Sequence, residues 1–362
     1  MLRPGALASL ACSVVLVLGG CSGATELDEP RSEQAPTAEP SESTEPSASP
    51  GPSESPPQRD RSRDRTAEPR LPPVRTRPSL PALMREDLRA GRIRRTEQLG
   101  STDRWTGWAV TYTVDGATVS GELLVPTGKG PFPALVLNHG HIEPSIYTLG
   151  QGMSREQEWL ASNGFVVLHT DYRGHAGSNP VGGLDRETRM AYTRDAIGAV
   201  GALRKEEYVD PDRLGMVGRS MGGGVTYNAL VTRPDLVDAA VVFAPVSSDI
   251  VDNLRMWTIP ERPDEAQALF AQLGGSPQDN PRAYRELSAR TFFDRVEAPV
   301  LIHHGTADDT CPLPWSRETH RLLTRAGVDS RLELYAGEGH AFGPQFPRSM
   351  EATVEFLRRH LR

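Results

Sequence analysis

Cysteine is scarce in these 362 residues: Cys12, Cys21 and Cys311 are the three. Two fall within the first 21 positions, so Cys311 stands alone in the remainder and no intrachain disulfide is available to staple a domain there. Long hydrophobic runs are also missing. The uncharged, mostly apolar stretch Ala6 to Leu18 is short of the about 20 residues that a bilayer-spanning helix needs. Positive charge is not in excess, since 40 Lys and Arg against 47 Asp and Glu leave a net charge of -7. With no basic stripe interleaved with aromatics, the electrostatic footprint of a nucleic-acid partner is lacking. Arg59, Arg61, Arg63 and Arg65 alternate with Asp60 and Asp64 and read as a solvated linker. Large apolar residues are almost absent from Ser22 to about Pro81, a stretch of Pro, Ser, Glu and Thr that cannot bury enough surface to offset chain entropy. No internal repeat is present.

What is there begins at the N-terminus. Residues 1–20 read as a secretory signal, with Arg3 as the positive start of a short apolar segment. It closes on Leu18-Gly19-Gly20-Cys21, which resembles the bacterial lipobox, in which the cysteine is acylated and becomes the mature N-terminus. The resemblance implies a lipidated Cys21, a membrane surface as partner and an extracytoplasmic place in the cell envelope. Two or more acyl chains hold a protein stably at a bilayer, whereas one is marginal. Residues 21–81 are then expected to be a disordered stalk, biased by proline towards extended forms, that sets a folded domain of residues 82–362 away from the membrane.

Within that domain strand-like and helix-like segments alternate, as in a mostly parallel sheet flanked by helices. Trp108 to Val114 and Thr118 to Val125 flank Asp115-Gly116, a hairpin turn signal, and predict an antiparallel edge. Six apolar runs suit buried parallel strands: 134–137, 165–169, 214–217, 239–243, 300–303 and 331–335. Helical stretches fall near 155–162, 186–204, 222–232, 315–326 and 348–361. One interval, about 246–297, breaks the rhythm. It is expected to form a small helical cap over the carboxyl edge of the sheet, where ligands bind in open α/β folds.

The strongest chemical signal is Gly218-Arg219-Ser220-Met221-Gly222, directly after the run 214–217 and directly before a helical stretch. A nucleophile on a sharp strand-to-helix turn needs small residues two before and two after it, because side chains there collide with neighbouring backbone. The pattern points to the α/β-hydrolase fold with Ser220 as nucleophile. A serine hydroxyl needs a base, and the chain order of this fold puts the acid and then the histidine after the serine. His340 lies between the last strand candidate and the terminal helix, whereas His320 is mid-helix and His360 lies on an Arg-rich helix face near the C-terminus. The orienting acid is expected after the run 300–303, where Asp308 and Asp309 are adjacent. For the oxyanion, one donor is the backbone N–H of Met221. The second is expected from the loop Asn138-His139-Gly140-His141-Ile142, with His141 chosen and Ile142 as alternative. His139, His141 and Glu143 sit on one short loop without a helix-borne ligand pair, so no metal and no cofactor are expected.

The stretch Gly218 to Gly224, the segment His304-Gly-Thr-Ala-Asp-Asp309, the loop Gly339-His340 and the turn Asp171-Tyr-Arg-Gly174 resemble the catalytic domain of the prolyl oligopeptidase family, over about Trp108 to Arg362. In that family the first Asp after His-Gly-Thr-Ala is the triad acid, which implies Asp308, with Asp309 a loop or capping residue. Two features depart from the pattern: no β-propeller precedes the domain, and His141 stands where a second Gly usually follows His-Gly. The resemblance implies a serine hydrolase of ester or short peptide substrates. Stand-alone domains of this type resemble esterases, so esters come first, a serine peptidase second, and a non-catalytic surface binding protein is the alternative of another class. Trp257 and Trp315 are candidates for the mouth of the site, for packing or for substrate contact. Cys311 is expected near the acid loop as a small buried thiol.

Overall fold

The computed structural model describes residues 71–362. The expected signal segment, Cys21 and most of the stalk lie outside the described residues. Nine strands form one sheet in the order β1-β2-β3-β5-β4-β6-β7-β8-β9. They are β1 (Arg94–Ser101), β2 (Trp105–Val114), β3 (Ala117–Pro126), β4 (Phe132–Asn138), β5 (Val166–Thr170), β6 (Val209–Arg219), β7 (Ala239–Phe243), β8 (Val300–Gly305) and β9 (Ser330–Tyr335). The β1–β2, β2–β3 and β3–β5 pairs are antiparallel, and all others are parallel. The hairpin turn is where the sequence put it, with Asp115 at φ 49° and Gly116 at φ 83°, the two left-handed positions that match strand twist. By contrast, β1 is exposed at every residue, so no hydrophobic alternation announces it.

Strands β5, β7 and β8 are buried end to end because helices cover both faces. On one face Val136, Val166, Met216 and Val242 pack with α4 (Met190–Leu203) and α5 (Met221–Thr232). On the other, Leu135, Val167, Val217 and Val241 pack with α2 (Ser154–Ser162) and α11 (Phe346–His360). The helix expected over 186–204 is in fact two, α3 (Gly183–Glu187) and α4, broken at Arg189 with φ 60°.

The stretch read as stalk is ordered at its end. Ser79 caps α1 (Leu80–Leu83), whose Leu80 and Leu83 join the core, and the N–H groups of Arg75 and Thr76 donate to Glu286 at 3.3 and 3.1 Å. The boundary at residue 81 is therefore too late: the apolar cluster Leu80, Leu83 and Met84 outweighs the Pro-rich composition around it.

Between β7 and β8 the insertion holds α6 (Ile250–Asn253), a π-helical turn over Leu254–Thr258, α7 (Ile259–Glu261), α8 (Pro263–Leu273), α9 (Pro281–Leu287) and a 3-10 stretch over Ala289–Arg295. It is tied to α3 by Arg262 and Glu187 at 3.2 Å, and to α10 (Leu313–Arg325) by edge-on stacking of Trp257 on Trp315, ring centroids 5.6 Å apart.

Candidate active site

Parallel strands deliver their carboxyl ends, and the N-termini of the helices that follow, to one edge of the sheet. At that edge the chain turns from β6 into α5 through Ser220, which has φ 54° and ψ -119°. A non-glycine residue there is strained, and neighbours must hold it. The Ser220 N–H donates to the Phe243 carbonyl at 3.0 Å, and the Ser220 carbonyl accepts the N–H groups of Gly223 at 3.0 Å and Val246 at 3.1 Å. The glycines are obligatory. A Cβ on Gly222 would collide with the Asn138 carbonyl, and one on Gly218 with the Gly222 carbonyl.

Asp308 and His340 are brought together. His340 Nδ1 lies 3.1 and 3.0 Å from the two Asp308 carboxylate oxygens, the Asp308 side chain fully buried and that of His340 22% exposed. Burial acts to raise the Asp308 pKa, but the His340 hydrogen bond and the N–H groups of Cys311 (2.8 Å) and Thr310 (2.9 Å) prevail and hold it below the usual carboxylate value. Asp309 is exposed and accepts only from the neighbouring Thr310 hydroxyl, at 3.2 Å. Cys311, which donates to Asp308, also reaches Ser220: its Sγ is 3.9 Å from Ser220 Oγ. Burial pushes the Cys311 thiol up to about 12, so it stays protonated beside the serine.

The histidine loop is knitted to the acid loop. Thr306 N–H donates to the Tyr335 carbonyl, and Ala307 N–H to the Glu338 carbonyl, both at 2.9 Å. The buried Glu338 carboxylate takes the Gln345 N–H at 2.6 Å and the Gly343 N–H. His304, deeply buried, donates Nε2–H to the Cys311 carbonyl at 3.0 Å and lies 3.3 Å from Asp308.

On the expected oxyanion side, Met221 is the first residue of α5, so its N–H is among the first-turn donors without an intrahelical partner. Gly140 runs close past the nucleophile, since a Cβ there would stand 3.2 Å from Ser220 Cβ, and His141 follows it. His139 is wholly buried between Tyr147 and Tyr172, at ring distances of 4.7 and 4.5 Å, with Nδ1–H donating to the Gly140 carbonyl at 2.7 Å. Burial, then His169 and His175, keep its imidazole neutral. It anchors the loop. Asp171, of the turn singled out in the sequence, accepts from Tyr147 at 2.7 Å, Gly150 at 3.0 Å and Ser120 at 2.6 Å.

One residue of the motif itself went unassigned in the sequence. Arg219, 7% exposed, sends Nη1–H to the His340 carbonyl at 3.0 Å and pairs with the buried Glu156. Its guanidinium also stacks over Phe243 and Phe342. Arg155 adds a second grip on the same loop through the Ala341 carbonyl at 2.7 Å.

Residues 151–362 match the model of the prolyl oligopeptidase family, which is more than half of the chain. The uncharacterized peptidase YuxL of Bacillus subtilis is 26% identical over 63% of this chain, which spans only 34% of that protein. The uncharacterized peptidase YtmA, also of Bacillus subtilis, is 26% identical over 66% of this chain and 87% of its own length. Among solved structures, the acetyl xylan esterase from Paenibacillus sp. R4 superposes with a TM-score of 0.57 at 22% identity, covering 78% of this chain and 92% of its own, a likeness of fold. The chain belongs to the prolyl oligopeptidase family.

Proposed function

We propose that the protein hydrolyses carboxylic esters through an acyl-Ser220 intermediate, with a short peptide or amide substrate as the second reading. The observation that carries the mechanism is the strained Ser220 on the β6–α5 turn together with a buried Asp308 bonded to His340, the two linked by Cys311, whose N–H meets Asp308 and whose Sγ is 3.9 Å from Ser220 Oγ. In this reading Ser220 Oγ attacks the carbonyl carbon as its proton passes to His340 Nε2, while Asp308 holds Nδ1–H and stabilises the imidazolium. The N–H groups of Met221 and His141 receive the oxyanion. Collapse expels the alcohol, which takes the proton from His340, and water then repeats the sequence on the acyl-enzyme.

Ester substrates stand first because an acetyl xylan esterase shares the fold over nearly its whole length, without an additional domain being needed for the comparison. The match to YtmA over most of its length favours the peptidase reading. The N-terminal sequence supports placing the enzyme outside the cytoplasm on a membrane surface through a lipidated Cys21; loss of membrane-fraction enzyme in Cys21→Ala would test that. The mechanism is tested by comparing wild type with Ser220→Ala on a p-nitrophenyl ester series and on aminoacyl-p-nitroanilides. Serine-dependent ester turnover supports the first reading, and anilide turnover alone replaces it with the second. If neither is turned over and a fluorophosphonate leaves Ser220 unlabelled, both fall.

A further inference from the structure

Arg189 stands at the entrance to α4, and the parallel topology brings that helix N-terminus to the same sheet edge as the N-terminus of α5, which begins beside Ser220. A cation at either position is disfavoured, because both helix dipoles present their positive ends there. The backbone is strained as well, with φ 60° on a non-glycine residue. The guanidinium lies against the first turn of α5: a Cβ added to Gly224 would sit 3.1 Å from Arg189 Nη1 and 2.7 Å from Val246 Cγ2. Gly224 and Val246 both direct their N–H groups to the Ser220 carbonyl, at 3.4 and 3.1 Å. Arg189 is therefore about one helical turn from the nucleophile, lining a recess with Thr188, Asn228, Ser247 and Ser248.

Among the described residues nothing pairs with it directly, and Glu187 acts on it only at longer range. No carboxylate lies within ion-pair distance of the Arg189 side chain, and no acceptor takes its N–H groups. The acid nearest in sequence, Glu187, is engaged elsewhere, by Arg262 at 3.2 Å, by the Thr258 hydroxyl at 3.2 Å and by Arg186 at 3.6 Å. Although the residue keeps some exposure, desolvation of its guanidinium, opposed by Glu187, brings its pKa down to about 10, and it stays charged at neutral pH. Its charge is also felt at Cys311, which touches Ser220, and at His141 of the expected oxyanion loop. An arginine fork that is desolvated, strained, unpaired and set against two positive helix ends lacks its anion.

We propose that Arg189 binds a carboxylate carried by the substrate, so that the preferred ester is an anionic one, with the carboxylate and the scissile bond on the same small molecule. This rests on the serine-hydrolase reading of Ser220. It assigns to Arg189 substrate selection and not bond cleavage.

The test uses two matched pairs that differ only in charge: 4-acetoxybenzoate with its methyl ester, and mono-4-nitrophenyl adipate with its methyl ester. The readout is the anionic-to-neutral ratio of kcat/KM within each pair. Wild type is expected to favour the anionic member of at least one pair by about tenfold to a hundredfold, the scale of a charge-assisted contact. Arg189→Gln should abolish that preference chiefly through KM, and Arg189→Lys should restore part of it. Reading a ratio separates the effect from any general loss of folded enzyme. The proposal is overturned if wild type prefers the neutral member of both pairs, or if Arg189→Gln leaves the ratio unchanged. Turnover of neutral esters with Ser220 labelled by a fluorophosphonate would then show the hydrolase reading intact, whereas no turnover and no labelling would end both.

Discussion

The two walls that meet at Ser220 are built on opposite electrostatic terms. On the side of β8, β9 and α2, the charges that hold the acid and histidine loops have their partners: Asp308 with His340, Glu338 with two backbone N–H groups, Arg219 with Glu156 and the His340 carbonyl. On the side of α4 and the insertion, Arg189 has none, and its neighbour Arg262 draws off the nearest carboxylate. The difference separates two tasks. A wall that carries the acid and the base is satisfied internally, because any slack costs rate. A wall that must recognise something is left unsatisfied until that something arrives.

Substitutions on the paired wall should act on kcat, and the largest effect belongs to the nucleophile. Ser220→Ala is expected to lower kcat by roughly a millionfold, the scale for removing a nucleophile from such a constellation. Asp308→Asn should cost about 10^4 in kcat with little change in KM, because the amide favours the wrong imidazole tautomer. The adjacent Asp309→Asn is the control, since its carboxylate meets only Thr310. Equal losses in the two variants would overturn the assignment of Asp308.

Arg219 sharpens the comparison, because it couples the nucleophile's turn to the histidine loop. Arg219→Met removes the donor to the His340 carbonyl and leaves the buried Glu156 unpaired, so stability and rate should both fall. The double variant Arg219→Met with Glu156→Gln separates them. Thermal stability should recover substantially, while kcat stays down by about ten- to a hundredfold because the histidine loop has lost its tether. Full recovery of kcat would show that Arg219 serves the fold alone.

The paired wall was the legible one. Glycines two before and two after Ser220, flanked by an apolar run and a helical stretch, announce the turn because steric exclusion acts on neighbouring residues. The acid and the base follow from chain order, although the choice of Asp308 over Asp309 rested on family resemblance until the His340 distances were in view. What stayed hidden depends on burial and on unusual backbone. Strand β1 is exposed throughout and lacks alternation, and Arg219 occupies a position where the motif allows any residue. The break at Arg189 lies in a stretch whose apolar periodicity runs through it, because a left-handed φ at arginine leaves no mark in composition. The ordered residues before 82 were masked by the proline around them, although Leu80, Leu83 and Met84 carried the signal.

Beneath the paired wall His303 stacks on Phe243, with ring centroids 4.6 Å apart, and its nitrogens meet the Tyr335 hydroxyl at 2.8 Å and the Thr353 hydroxyl at 3.0 Å. Burial, aided by Arg219 and Arg331, pulls its pKa down to about 3. Because the folded value lies below the unfolded one, the unfolded chain takes up a proton first as pH falls below about 6.5, and stability is lost from there towards pH 3. Each such histidine contributes a slope of up to about 1.4 kcal/mol per pH unit. Urea unfolding of His303→Gln at pH 7, 6 and 5 should show a shallower decline than wild type, whatever its absolute stability. Parallel declines would mean that His303 is not neutral in the native state.

The smallest expected effect tests the unpaired wall where it joins the paired one. Trp257, on the π-helical turn of the insertion, stacks edge-on against Trp315 at the start of the helix that follows the Asp308 loop. Such an aromatic pair is worth about 1 kcal/mol beyond its area. If it sets how firmly the insertion closes on the cleft, Trp257→Ala should raise KM a few-fold for bulky acyl esters and leave acetyl esters nearly unchanged. Trp315→Ala should do the same, and the double variant no more than either, because both remove one shared contact. A kcat loss common to all acyl lengths would instead place the pair among the supports of Asp308. The division between a wall that holds and a wall that selects would then have to be drawn through α10 rather than beside it.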